Sequence, residues 1–180
     1  MLNPAVRNAA GQYYGISDIV AQEIVNPLAR LEVTHGGSEE SKFVGNTFVE
    51  YEMLPGLKLK SLVGLELSNV ESNGYNGNYY LNSAQGNVVP VVSQFFGKTT
   101  IFNSENTLTY TKKLGNHNIN ALVGGTIRET TYEWMNSSKT GLITDDPDKV
   151  NLARATDNLS AQLFGGIVQN ALVSNFGRII

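Results

Sequence analysis

The chain has 180 residues, enough for one domain with a substantial hydrophobic core. It is mildly acidic, with 13 Lys and Arg against 16 Asp and Glu, and no basic cluster indicates nucleic acid or another polyanionic partner. Cysteine is absent, which excludes disulfide frameworks and thiolate metal sites.

No apolar run approaches the roughly 20 residues of a membrane-spanning helix. The first residues also lack the apolar segment of a signal peptide. Membrane-spanning β-strands alternate apolar and polar residues and give no hydropathy peak, so the order of residues has to decide the class.

The first predicted element is a hairpin of two alternating strands, 42–54 and 57–68. Apolar residues occupy the odd positions of both strands. The turn between them contains Pro55 and Gly56, which favour a tight reversal. Polar residues at even positions include Asn46, Glu50, Glu52, Lys58, Lys60 and Glu66.

The charges of this hairpin predict a register. If both apolar faces coincide, paired residue numbers sum to an even value, which requires a loop of odd length. A three-residue loop sets Glu52 opposite Lys58 and Glu50 opposite Lys60. Opposite charges across the ladder favour that pairing.

A second hairpin is predicted from strands at about 100–112 and 117–131. The apolar positions change from even to odd across the turn, which fits a four-residue loop. The polar face then carries Asn103, Glu105, Asn120 and Arg128.

The remaining connections, 69–99 and 132–170, are long and rich in Asn, Gly, Ser and Tyr, and a fifth strand is expected over 171–180. Alternation of short turns with long loops is typical of outer-membrane barrels, whose turns are periplasmic and whose loops are extracellular. The fold prediction is therefore all-β: an antiparallel, up-and-down transmembrane β-barrel segment. Because about eight strands are the fewest that close such a barrel, we expect a fragment of a longer polypeptide.

Four stretches resemble the SusC/RagA family of TonB-linked outer-membrane transporters of Bacteroidota. They follow the order of the family from about residue 26 to the end. The stretches are 26–32 (NPLARLE), 45–68 (GNTFVEYEMLPGLKLKSLVGLELS), 105–124 (ENTLTYTKKLGNHNINALVG) and 175–178 (NFGR).

The resemblance implies a barrel of about 22 strands occluded by an N-terminal plug domain, located in the outer membrane. It implies import of glycans or peptides, powered by TonB through the plug, with a SusD-like surface lipoprotein as partner. The plug is missing from these residues. The chain would supply barrel wall in contact with outer-membrane lipid, extracellular loops and a polar lumen-facing surface.

Aromatic residues in the first long connection are candidates for contact with substrate or partner, because they lie among Asn and Gly. They are Tyr75, Tyr79, Tyr80, Phe95 and Phe96. The alternative is packing within the loop.

No catalytic group and no cofactor are predicted, and the chain is not expected to be an enzyme. Asp145–Asp148 lack the spacing of a calcium loop, so a solvated acidic loop is preferred and calcium is the minority interpretation. Two other functions stay open: a soluble, extracellular, carbohydrate-binding β-sandwich, and a non-transporting barrel that acts in adhesion or assembly.

Overall fold

The computed structural model describes residues 34–82, 85–142 and 150–180, together with positions 9 and 31. These residues form an all-β structure. Its strands are β1 (Thr34–Leu54), β2 (Leu57–Asn76), β3 (Tyr79–Asn82), β4 (Gln85–Asn87), β5 (Val91–Leu114), β6 (His117–Thr140) and β7 (Asp157–Ile179). A 3₁₀ turn, Leu152–Arg154, precedes β7.

Five long strands form one antiparallel sheet in the order β1-β2-β5-β6-β7. The short strands β3 and β4 pair only with each other, within the connection between β2 and β5. Each long strand therefore pairs with the long strand that precedes it in the sequence. This confirms the predicted up-and-down, antiparallel fold. No helix in the described part of the chain is long and apolar enough to cross a membrane.

The long strands extend well past the predicted ones, to lengths between 20 and 24 residues. The intervals 69–99 and 132–170, predicted as loops, are largely strand, and β7 begins at Asp157 rather than near position 171. Their Asn-, Gly- and Ser-rich composition hid the alternation on which the prediction relied. Backbone hydrogen bonds to neighbouring strands of similar length hold them extended whatever their side chains.

The chain divides into two compact units. Unit 2 comprises Glu40–Val70, Gly97–Trp134 and Gly165–Ile180, all of them described. Unit 1 comprises the described residues within Met1–Glu39, Glu71–Phe96 and Met135–Phe164. The segment 26–32, apart from Leu31, lies outside the described residues.

Side-chain contacts in unit 2 establish which positions share a face. Between β1 and β2, even positions meet, as in the contact of Ser68 with Glu40. Between β5 and β6, Asn120 Nδ2 donates to Thr111 Oγ1 at 3.1 Å, so odd positions of β5 join even positions of β6. This polar face carries the even positions of β1, β2 and β6 and the odd positions of β5, as the alternation predicts. The packing of Phe176 over Gly124 adds the even positions of β7.

The opposite face of unit 2 is apolar and exposed. Val49 and Val123 retain 70% and 57% of their accessible surface. Every buried apolar side chain in the described part of the chain belongs to unit 1: Tyr75, Val92 and Ala155. Unit 2 therefore has no hydrophobic core of its own.

The connection between β6 and β7 is closed by a group of hydrogen bonds in unit 1. Thr140 Oγ1 donates to Asp157 Oδ2 at 2.9 Å, and the backbone N–H of Leu159 donates to Asp157 Oδ1 at 3.1 Å. The N–H and hydroxyl of Thr156 both donate to the carbonyl of Gly141. The Thr140 hydroxyl, followed by the Leu159 N–H and Ser160, lowers the pKa of Asp157 below its ordinary value of 3.8.

Both short turns need a glycine in the left-handed region. Gly56 has φ +84° and Gly115 has φ +59°. The two sites differ in their surroundings: the Gly56 carbonyl accepts a 2.8 Å hydrogen bond from Thr111 N, whereas nothing lies within 4 Å of a Cβ added at Gly115.

We expect Gly56→Ala to destabilise the fold more than Gly115→Ala. Backbone strain alone costs about 1–2 kcal/mol at each position, but a Cβ at Gly56 would also collide with the Thr111 carbonyl oxygen. Urea unfolding of the detergent-folded protein measures both free energies. Equal losses of unfolding free energy in the two variants would contradict the close approach of the Gly56 turn to β5.

Asp157 predicts a local pH dependence. Because its folded-state pKa is lowered, its contribution to stability is complete above the unfolded value near 3.8 and is lost as the pH falls through the folded-state pKa. Hydrogen exchange at the Leu159 amide of the native protein should therefore accelerate as the pH falls below the folded-state pKa of Asp157. In Asp157→Asn this acid-dependent acceleration should disappear. Glu129→Gln, which alters an exposed carboxylate on β6, is the control and should behave as the native protein. An unchanged acid response in Asp157→Asn would contradict the assignment.

Candidate functional site

The polar face of unit 2 holds two ion pairs between β1 and β2. Lys42 Nζ lies 2.5 Å from Glu66 Oε1, and Lys58 Nζ lies 3.4 Å from Glu50 Oε1. The side chains are part-exposed, so solvent screens each pair, which orients the side chains more than it stabilises the sheet.

These pairs differ from those predicted from charge. Glu52 does not meet Lys58; its Oε1 accepts a 2.9 Å hydrogen bond from the Gly56 N–H and closes the turn. Lys60 does not meet Glu50; its Nζ lies 4.6 Å from the centroid of the Phe48 ring. The faces agree with the prediction, but the partners are shifted because the turn N–H engages Glu52 and long side chains reach diagonal neighbours.

A concavity of about 300 Å³ lies on the polar face of unit 2. It brings together three of the predicted lumen-facing residues, Asn46 on β1, Asn103 on β5 and Arg128 on β6. Gly64 contributes no side chain, and a Cβ built there would lie 3.8 Å from Asn103 Cβ and 3.9 Å from Asn46 Cβ. Glu66 also lines the concavity. Among the predicted residues outside it, Glu105 is half-buried on β5, and Asn120 bonds to Thr111.

Lys42 and Glu66 were not among the predicted site residues, although their even positions place them on the polar face. The same holds for Phe176, which packs over Gly124 in unit 2, and Trp134, whose Nε1 would lie 3.2 Å from a Cβ at Gly166. Parity places Glu66 and Lys42 on the polar face of the first hairpin, whereas Trp134 lay in an interval predicted as a loop.

The candidate aromatic residues occupy strands, which corrects their placement in a loop. Tyr75 belongs to β2, Tyr79 and Tyr80 to β3, where they pair with Asn87 and Gly86, and Phe95 and Phe96 to β5, half-buried.

Tyr75 is only 5% exposed and stacks on His35, with ring centroids 6.3 Å apart and planes at 7°. The two rings border a unit 1 concavity of about 550 Å³ that also contains the amides of Asn73, Gln94 and Asn151. Because Tyr75 is buried, its ring offers little surface for a sugar, while the amides remain suited to hydrogen bonding.

Among the described residues, no group of three or more His, Asp or Glu is arranged to hold a metal ion. The acidic segment Asp145–Asp148 lies outside the described residues.

Comparisons with known proteins agree with this architecture. No protein-family model matches the chain. It is similar to TonB-dependent receptor P26 of Formosa agariphila, with 24% identity over 97% of this chain and 18% of the relative. It is also similar to TonB-dependent receptor P3 of the same organism, with 25% identity over 97% of this chain and 17% of that relative. The chain thus spans less than a fifth of these relatives.

Solved structures give the same fold. The RagAB peptide transporter matches 95% of this chain and 19% of its own with a TM-score of 0.77 at 16% identity. The open-open state of the RagAB peptide importer matches with a TM-score of 0.75 at 17% identity, again over 95% and 19% of the two chains. These similarities confirm the resemblance to a segment of SusC/RagA-like TonB-dependent transporters.

Proposed function

We propose that the chain forms part of the barrel wall of a TonB-dependent transporter in the bacterial outer membrane, which imports oligosaccharides or peptides. The observation that carries the proposal is the division of unit 2 into an exposed apolar face and an ion-paired polar face, without a core. The proteins that the chain resembles are named as a receptor and a transporter, which supports transport rather than catalysis.

Lipid is the solvent that suits the apolar face. Side chains such as Val49, Val123 and Val173, which is 66% exposed, present apolar surface whose contact with water costs about 25 cal/mol per Å². Acyl chains remove that cost. The strands have ample length, since about 9–11 residues span a bilayer and each long strand has at least 20.

The sheet edges support the same proposal. Within the five-stranded sheet, β1 and β7 each have a neighbour on one side only. In a bilayer no water is available for unpaired backbone groups, so both edges need further strands. Those strands would come from the remainder of a polypeptide as long as the relatives, and its plug would provide the link to TonB.

A carbohydrate-binding sandwich needs a second sheet packed on the apolar face. Among the described strands only β3 and β4 lie outside the five-stranded sheet, so nothing favours that alternative. For the substrate, the name of the RagAB peptide importer supports peptides, and the amide-lined concavity of unit 1 suits either peptides or glycans. The similarity to the RagAB peptide transporter supports a surface lipoprotein of the SusD type as partner.

Uptake by cells carrying the native gene tests the proposal. In-frame deletion of the gene should abolish accumulation of a class of fluorescent oligosaccharides or peptides, and removal of TonB should do the same with the gene intact. The protein should fractionate with the outer membrane. Growth on the free monomer is the control and should not change. A protein recovered in the soluble fraction, or uptake that persists without TonB, would contradict the proposal.

A further inference from the structure

The concavity on the polar face of unit 2 has the charge and the donors of an anion site. We propose that it is a subsite for a carboxylate group of the transported substrate, with Arg128 as its charged ligand. The inference rests on the proposed function in one respect: the polar face must line the route of the substrate.

Charge balance selects the sign of the ligand. Glu66 and Arg128 are the charged residues that line the concavity. Glu66 is engaged by Lys42, so its charge is already compensated. Arg128 is exposed and makes no ion pair with any described residue, including Glu105 on the same face. The concavity therefore presents one uncompensated positive charge.

The donors around Arg128 suit a carboxylate. A guanidinium presents a planar fork that matches the two oxygens of a carboxylate. Asn46 and Asn103 lie on either side of Gly64, and each amide can donate further hydrogen bonds to the oxygens that the fork leaves open.

Gly64 keeps the concavity open. It lies between the two asparagines on the central strand β2, and any larger residue there would project into the space that the ligand needs. A volume of about 300 Å³ holds one charged group with its adjoining atoms, not a whole oligomer. The site therefore recognises an acidic residue within a longer substrate.

Two kinds of substrate carry such a group, acidic oligosaccharides with uronate residues and peptides with Asp, Glu or a free C-terminus. The full-length native protein, purified in detergent, is titrated calorimetrically with four probes. They are oligogalacturonate, its neutral methyl ester, a Glu-containing tetrapeptide with a blocked C-terminus, and the Gln counterpart of that peptide.

We expect one acidic probe to bind more tightly than its neutral counterpart, and Arg128→Gln to remove that preference. A charged hydrogen bond corresponds to a change in Kd of about tenfold or more. Arg128→Lys should recover part of the preference, because it keeps the charge without the fork. Gly64→Leu should weaken binding with Arg128 intact. Arg154→Gln, a change of the same type at an exposed arginine in the 3₁₀ turn, is the matched control and should bind as the native protein.

The acidic probe that responds identifies the substrate source. An equal loss for acidic and neutral probes in Arg128→Gln, or no loss at all, would overturn the subsite, as would the absence of binding by both acidic probes. If uptake depends on TonB but Arg128→Gln leaves the preference for the acidic probe unchanged, only this inference fails. If carboxylates bind through Arg128 but no uptake is found, only the proposed function fails.

Discussion

The antiparallel register of the long strands is the constraint on which the rest of the structure depends. Side chains alternate between faces with a period of two, so a slip of one residue would exchange the apolar and polar faces of a strand. The glycine turns at Gly56 and Gly115 limit such slips between β1 and β2 and between β5 and β6. The Gly56 carbonyl also anchors the first hairpin to β5 through Thr111.

Once the register is set, the chemistry of each face follows. The polar face collects the Lys42–Glu66 pair, the amides of Asn46 and Asn103, and the guanidinium of Arg128, which forms no ion pair with a described residue. The apolar face is left with exposed valine, leucine and isoleucine side chains and no second layer in unit 2. A sheet of this kind is stable only if its surroundings cover one face with apolar material and the other with water.

Sequence alone predicted the parts in which hydrophobic alternation is strong. The two hairpins and the parity of their faces follow from it, and Asn46, Asn103 and Arg128 were all predicted at polar positions. Strand extent was not predictable at the same level. Near the C-terminal end of β2, residues such as Asn73 and Gly74 are of types common in loops. Only pairing with a neighbouring strand makes them extended. Individual partners also escaped prediction, because the competition of the Gly56 N–H for Glu52 depends on the final turn geometry.

Burial was the other quantity hidden from the sequence. Tyr75 lies in an Asn- and Gly-rich stretch, a composition that suggests a loop suited to sugar stacking. In the structure it stacks on His35 and belongs to the small core of unit 1 with Val92. A residue's chemistry suggests what it can bind, whereas its access is decided by strands that lie far away in sequence.

The orientation of the sheet in the bilayer can be measured by the exposure of single positions to lipid and to water. These 180 residues contain no cysteine, so once any cysteine elsewhere in the full-length protein is replaced, single cysteines at Val123 and Thr126 on β6 can carry a fluorophore without interference. In the full-length protein reconstituted in lipid, brominated acyl chains should quench the label at position 123 strongly and the label at 126 weakly, while aqueous iodide should show the reverse. Equal quenching by lipid at both positions, or stronger lipid quenching at 126, would contradict the assignment of the apolar face to the membrane.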